Sequence, residues 1–535
     1  MTKIKNILLW AFMVVASLTT LSSCNTLDLA PQDWYGSESF WQNKVQVESA
    51  MIGLHYDLRE DYGMLFALGE ARGSSLKTGT ASLGGANMAW SSPIKDNTLR
   101  AGNTGVSSWY GLYTNLLHVN LFIKNVTEAD YLTAQEASFY LGQAYGLRAY
   151  YYFWLYRTFG GVPIVTSVKI LDGKIVASDL YTARSSAKET LDFIKSDINT
   201  SEEYFANDYT QESTKAMWSL SATLALKGEI YLWSSKVSTG DFNAVSADAL
   251  IAQEALSKLI GRYGLESDFQ NVFSQKGNNE VIMTMRFEDG EKSNSNGQWL
   301  SDPNYFINQA ADENGDLITT DVLEQNGSGG TFYHEYKRGL YDAFDDEDSR
   351  KHATFYAFYY ERAEDDLTWN KSDQFKGLLV RKNIGIVNLN GVRVFEGDIH
   401  IYRYADVLLL MAEVENMLGG SVSSYINQVR ARGYGDNWDS SLYGYVDESF
   451  AENERAILLE RDREFVQEGK RWFDVVRLRD SNGKSLVFNK DVNYYTTLGE
   501  TLYPIISESD SHMLLWPIDN TTLSNDPLLV QTTGY

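Results

Sequence analysis

Three glutamates, Glu460, Glu464 and Glu468, recur every fourth residue in "ERDREFVQEGKRWFDVVR". That spacing stacks side chains on one face of a helix. Paired carboxyls are the chemistry of glycoside hydrolysis, which needs them ~5–5.5 Å apart for retention or ~6.5–9.5 Å apart for inversion. Neighbouring helical turns supply such distances. Yet Arg461, Arg463, Lys470 and Arg471 interleave with the glutamates, and i,i+3 and i,i+4 ion pairing accounts for the run more simply. The other reactive types are scattered. The 6 histidines form no H-E-x-x-H or paired cluster, and there is no G-x-S-x-G elbow or phosphate loop. "DENGD" at 312–316 opens like a calcium loop, but Leu317 and Leu323 stand where the loop needs glycine and a bidentate glutamate. It reads as an exposed turn, at which any calcium would be incidental. We therefore expect no catalytic residues, no resident metal and no cofactor.

Non-covalent sugar binding has a clearer basis. Pyranose C–H faces stack on aromatic rings, while hydroxyl rims ask for Asn, Asp, Gln or Arg. Two stretches combine exposed-loop composition with both needs. "ARGSSLKTGTASLGGANMAWSSP" offers Arg72, Asn87 and Trp90, and "NSNGQWLSDPNYF" offers Asn296, Trp299, Asp302 and Tyr305. We expect these to form one aromatic platform. Each tryptophan has a competing reading, folding back onto the core.

The single cysteine of the 535 residues, Cys24, needs another explanation. Lys3 and Lys5 precede the apolar run "ILLWAFMVVASLTTL", which has the order of charges, apolar core and small-residue exit of a secretory signal peptide. Leu21-Ser22-Ser23-Cys24 resembles a bacterial lipobox, in which the sulfur takes a diacylglyceryl group through a thioether. We expect a lipoprotein signal peptide over 1–23 and palmitate-type acylation at Cys24. Two or more chains anchor stably where one does not, so the membrane would be met through the lipid alone.

The elements that must position these groups are mostly helices. "LTAQEASFYLGQAYGLRAYYYFWLYRTFGG" begins with a Thr133-x-x-Glu136 capping box and carries apolar residues three and four apart. Further amphipathic stretches are "WYGLYTNLLHVNLFIKNV", "SSAKETLDFIKSDINTSEEYF", "TKAMWSLSATLALKGEIYLWSS" and "SADALIAQEALSKLIGRYG". Helices alternating with short turns indicate stacked tetratricopeptide-like repeats. From about 265 to 400 the chain turns rich in Asn, Asp, Gly and aromatics, with short strands such as "EVIMTMRF" and "GLLVRK". Helices resume at "IYRYADVLLLMAEVENMLGG". The fold class is thus mainly α: an α-solenoid of tetratricopeptide-like helical repeats with an irregular, loop-rich insertion. No Pro-rich or Gly/Ser-rich linker divides the chain, so 24–535 reads as one domain, with helical parts over about 35–262 and 401–535. The 46 Lys+Arg against 71 Asp+Glu give a net charge of −25, which argues against nucleic acid or other anionic polymers as partners.

The segments "YYYFWLYRTFGGVPIV", "RYADVLLLMAEVEN", "INQVRARG", "ERDREFVQEGKRWFDVVR" and "LLWPIDNTTLSNDPLLVQTTGY", with "LDLAPQDWYGSESFW" and "LYDAFDDEDSR", occur in an order that resembles the SusD/RagB family of outer-membrane nutrient-binding lipoproteins. The resemblance implies a surface-exposed, lipid-anchored outer-membrane protein. It would capture oligosaccharide without cleaving it and deliver it to a SusC-like TonB-dependent transporter. Peptide capture, known in part of the family, is the first alternative, and a glycoside hydrolase the second. The shared residues Arg403, Glu413, Arg430, Arg461, Glu464 and Arg471 read as scaffold ion pairs. Trp109, Leu112, Tyr113 and Asn120 read as a packing signature.

Overall fold

A computed structural model describes residues 40–83, 88, 92–106, 109–169, 176–294, 303–325 and 332–535. Cys24 and the signal segment, with Asn87, Trp90, Asn296, Trp299 and Asp302, lie outside the described residues.

The first helices are α1 (Lys44–Glu60), α2 (Tyr62–Gly69), α3 (Tyr110–Glu128), α4 (Ala134–Phe159), α5 (Ala187–Phe205), α6 (Leu220–Lys236) and α7 (Asp248–Ser257). The capping box at α4 is formed: Glu136 N donates to Thr133 Oγ1 at 3.2 Å, and Thr133 N donates to Glu136 Oε2 at 3.0 Å. An equivalent box, Ser186 with Glu189, starts α5. Sequence spacing suggests one apolar face on α4, yet nearly every side chain from Tyr140 to Phe159 is buried. The reason is that α3, α5 and α6 all pack against it. Close approach depends on Gly146, where an added Cβ would lie 2.1 Å from Trp218 Nε1.

Helix pairs stack in sequence order, α4 with α5 and α6 with α7. The stack then continues from α7 directly onto α8 (Tyr404–Leu418), skipping the insertion. Next come α9 (Ser423–Tyr434), α10 (Phe450–Glu464) and α11 (Arg471–Arg477). The molecule is mainly α and tetratricopeptide-like, with short strands.

The insertion is returned to its starting point by β1 (Val281–Met285), which pairs antiparallel with β6 (Ile399–Arg403), Val281 opposite Arg403. The first residues of the expected helix "IYRYADVLLLMAEVENMLGG" are therefore strand, and the helix starts at Tyr404. Between them β2 (Phe355–Tyr359) pairs with β3 (Phe375–Val380), and β4 (Ile386–Val387) with β5 (Arg393–Val394). One apolar core runs through the helical stack from Val47 to Ile518. A second, smaller core joins the insertion to Ala81, Leu83 and Met88, and it matters for the site.

Candidate functional site

The glutamate run is the first group to place. Glu460 and Glu464 lie on α10, but the helix ends at Glu464, and Gln467 takes a positive φ of 70°. Glu468 is therefore in a turn and not on the same helix face, contrary to the regular spacing. It joins the others through tertiary partners. Arg403 donates to Glu468 from Nε and Nη2, each at 2.8 Å, and from Nη1 to Glu280 Oε1 at 2.7 Å and to Glu464 Oε1. Arg350 Nη1 lies 2.8 Å from both Glu460 and Glu464, and Lys382 Nζ is 2.6 Å from Glu468. Arg430 Nε donates to Glu460 Oε2 at 2.8 Å.

Ion pairing is the role these carboxylates have, but with cations from distant elements instead of the interleaved Arg461, Arg463 and Lys470. The surrounding guanidinium and ammonium groups pull the Glu468 carboxyl down to about 2, and those of Glu460 and Glu464 also fall below the usual range. A general acid needs the reverse: a raised pKa and access to substrate. The remaining family charges are paired in the same way, Glu413 with Arg477 and Lys236, Arg461 with Asp406 and Asp474, and Arg471 with Asp462. Asp312 Oδ1 accepts from the N–H groups of Asn314 and Asp316 at 2.9 and 3.0 Å, which makes "DENGD" a self-satisfied turn.

Only the described residues of the two candidate stretches can be located. Ala81, Leu83 and Met88 from the first stretch, and Phe306 from the end of the second, are buried in the same small core with Phe332, Phe358 and Leu379. Met88 is held on both sides of its peptide unit: its N–H donates to Gly79 O at 2.9 Å, and Lys95 Nζ donates to its carbonyl at 2.6 Å. Burial of that ammonium pushes Lys95 down to about 8. The approach to the first loop is paired along 75–77 with 335–337, and Ser82 N donates to Glu335 Oε2 at 2.8 Å. The second loop begins at Asn294, whose side chain donates to Gly397 O at 2.9 Å.

Of the expected ligand residues, Tyr305 is half-buried on this small core, its ring 5.6 Å from Phe332. Arg72 is drawn inside, at 0% exposure. Its guanidinium lies 4.1 Å over the Trp472 ring, with Nε donating to Asn97 Oδ1 at 2.8 Å and Nη2 to Met513 O. Desolvation pushes it down to about 9. Arg72 thus ties the base of the first loop to the C-terminal segment and presents no charge to a ligand at the surface. Sequence reasoning did not single out Lys77, Ser82, Glu335 or Tyr336 as loop supports. Their pairing joins segments more than 250 residues apart, and no local pattern marks it.

The stacked-helix scaffold is shared with known proteins. Residues 279–535 match the family model described as "SusD family", and residues 42–232 that described as "Starch-binding associating with outer membrane". A solved SusD superfamily protein from Bacteroides fragilis is 40% identical, covers 93% of this chain and 100% of its own, and superposes with a TM-score of 0.84. B. fragilis NanU is 29% identical over 95% of this chain and 100% of its own, with a TM-score of 0.78. SusD-like protein P38 of Formosa agariphila is 27% identical over the full length of both chains. This chain belongs to the SusD/RagB family, a family of SusD-like glycan-binding proteins. Among the described residues no helix is long and apolar enough to cross a membrane.

Proposed function

We propose that this protein is a lipid-anchored receptor on the outer-membrane surface. It captures an oligosaccharide on Trp90 and Trp299, with Asn87, Asn296, Asp302 and Tyr305 meeting the hydroxyls, and delivers it uncleaved to a SusC-like TonB-dependent transporter. One observation carries the reading: Met88, between Asn87 and Trp90, and Phe306, next to Tyr305, are buried in one small apolar core. Two loops rooted on a shared support can act on one ligand. Ring stacking and hydroxyl hydrogen bonds hold a sugar without bond chemistry. The ion-saturated state of Glu460, Glu464 and Glu468 agrees with binding over hydrolysis. The description of the family model that matches residues 42–232 supports the membrane location and the glycan, and Cys24 supplies the anchor.

A glycan array on the chain lacking residues 1–24 identifies the ligand. Titration calorimetry then compares Trp90→Ala and Trp299→Ala with wild type. Loss of affinity in both is expected, and unchanged affinity in both rejects the platform. New reducing ends on incubation with the same glycan would reject non-catalytic capture.

A further inference from the structure

A cavity of about 500 Å3 opens where the C-terminal ends of α4 and α6 meet the closing segment of the chain, residues 511–533. That volume suits a small organic ligand. None of its 21 described lining residues is acidic, in a chain with 71 Asp and Glu and a net charge of −25. Arg184 stands in its wall, donating to the carbonyls of Phe159, Gly161 and Val530 at 2.6, 2.7 and 3.0 Å. Among the described residues it has no carboxylate partner, so its charge is met only by neutral dipoles.

The floor carries a second signal. Arg157 Nη1 donates to Glu229 Oε1 at 2.6 Å, but Arg157 Nε and the indole Nε1 of Trp233 are buried with no acceptor. Buried N–H groups are nearly always paired. Two donors without an acceptor on residues that line the cavity, together with a lining cation that has no carboxylate partner, favour an acceptor-rich, negatively charged occupant. The rest of the wall limits its chemistry. Hydroxyls of Ser185, Thr239, Ser511 and Thr533 suit a polyol, and Leu514 and Leu515 suit the C–H face of a ring.

We infer that this cavity is a second binding site, separate from the loop platform, for a small carboxylated sugar of the uronate class. The carboxylate is matched by Arg184 in the wall and by the unpaired N–H groups of Arg157 and Trp233, and the ring hydroxyls by the serine and threonine rim. A neutral sugar satisfies the rim alone. None of the lining residues belongs to the small core that roots the two aromatic loops, so the inference does not depend on the platform.

The test is titration calorimetry of the soluble chain, at low salt, with D-glucuronate and D-galacturonate against D-glucose and D-galactose. At least one uronate is expected to bind at least tenfold tighter than its neutral counterpart, and added salt to weaken it. Ser511→Trp, at an exposed position on the rim, is expected to lower uronate affinity at least tenfold with an unaltered melting temperature. Trp90→Ala is expected to leave it unchanged, which separates this site from the platform. No binding of either uronate, equal binding of charged and neutral sugars, or full uronate affinity in a folded Ser511→Trp variant each overturns the inference.

Discussion

Arg403 grips Glu468 with both prongs of its guanidinium, Nε to Oε2 and Nη2 to Oε1 at 2.8 Å each, 65 residues apart in sequence and closed off from solvent. Arg403 ends β6 and Glu468 sits in the turn after α10, so this pair, extended through Glu280 and Glu464, fastens the return of the insertion to the C-terminal helices. Taking one partner from a buried pair leaves the other charge uncompensated, at ~3–5 kcal/mol. Arg403→Met should therefore destabilise the chain by about that much, read as a lower urea midpoint. A midpoint within error of wild type would show that this lattice does not hold the fold together.

Packing on the N-terminal side rests on a missing side chain. A Cβ at position 146 would meet Trp218 Nε1 at 2.1 Å, and the ring is itself buried and hydrogen-bonded to Thr223 Oγ1 at 2.9 Å. Over-packing of this kind costs ~1–3 kcal/mol. Gly146→Ala should lower the melting temperature even though alanine is the better helix former. A rise in melting temperature would contradict the close approach of α4 to the segment before α6.

Glu70 and Asp61, both raised to about 7 by burial, contribute to the acid–base behaviour. Burial raises the Glu70 carboxyl from 4.5 to about 7, despite hydrogen bonds from Tyr336 Oη at 2.8 Å and from the N–H groups of Gln467 and Gly469. Between those values the folded chain keeps a proton that the unfolded chain has released. Its contribution is thus complete below about 4.5 and lost as pH rises through about 7, with a slope of up to about 1.4 kcal/mol per pH unit. Asp398, raised to about 6, acts in the same direction. Glu468, lowered to about 2, acts oppositely, and its share is lost on acidification below 4.5. Glu70→Gln should flatten the fall in stability between pH 5 and 7, as measured by denaturation at a series of pH values. An unaltered slope would remove Glu70 from the account.

The proposed membrane attachment can be tested at Cys24. Cys24→Ser removes the only thiol in the sequence, and with it the thioether through which lipid would attach. The variant should leave the membrane fraction and lose the acyl mass increment at that position. Retention in the membrane by the serine variant would refute lipid anchoring.

Much of the helical scaffold is legible from local signals. Thr133 and Glu136 close their capping box as spaced, and the strand-like runs at 281–285 and 375–380 pair as strands. Legibility fails where an element's surroundings decide. The helix spacing of Glu460, Glu464 and Glu468 continues past the end of α10, because a turn with positive φ at Gln467 and Gly469 sends the chain away while long-range cations recover Glu468. Arg72 has the composition of a loop-borne ligand contact, yet two tryptophans 400 or more positions later, Trp472 and Trp516, enclose it.

The chain alone was enough to settle its mainly helical character, the irregular middle region and the kinship, since caps, apolar spacing and motif order are carried by neighbouring residues. Which charges become struts, that described residues of the two candidate stretches share one small core, and that a cavity without acidic groups among its described lining residues forms under the closing segment were decided by the tertiary structure. Those relations join residues tens to hundreds of positions apart, and only burial and distance, which a sequence does not express, bring them together.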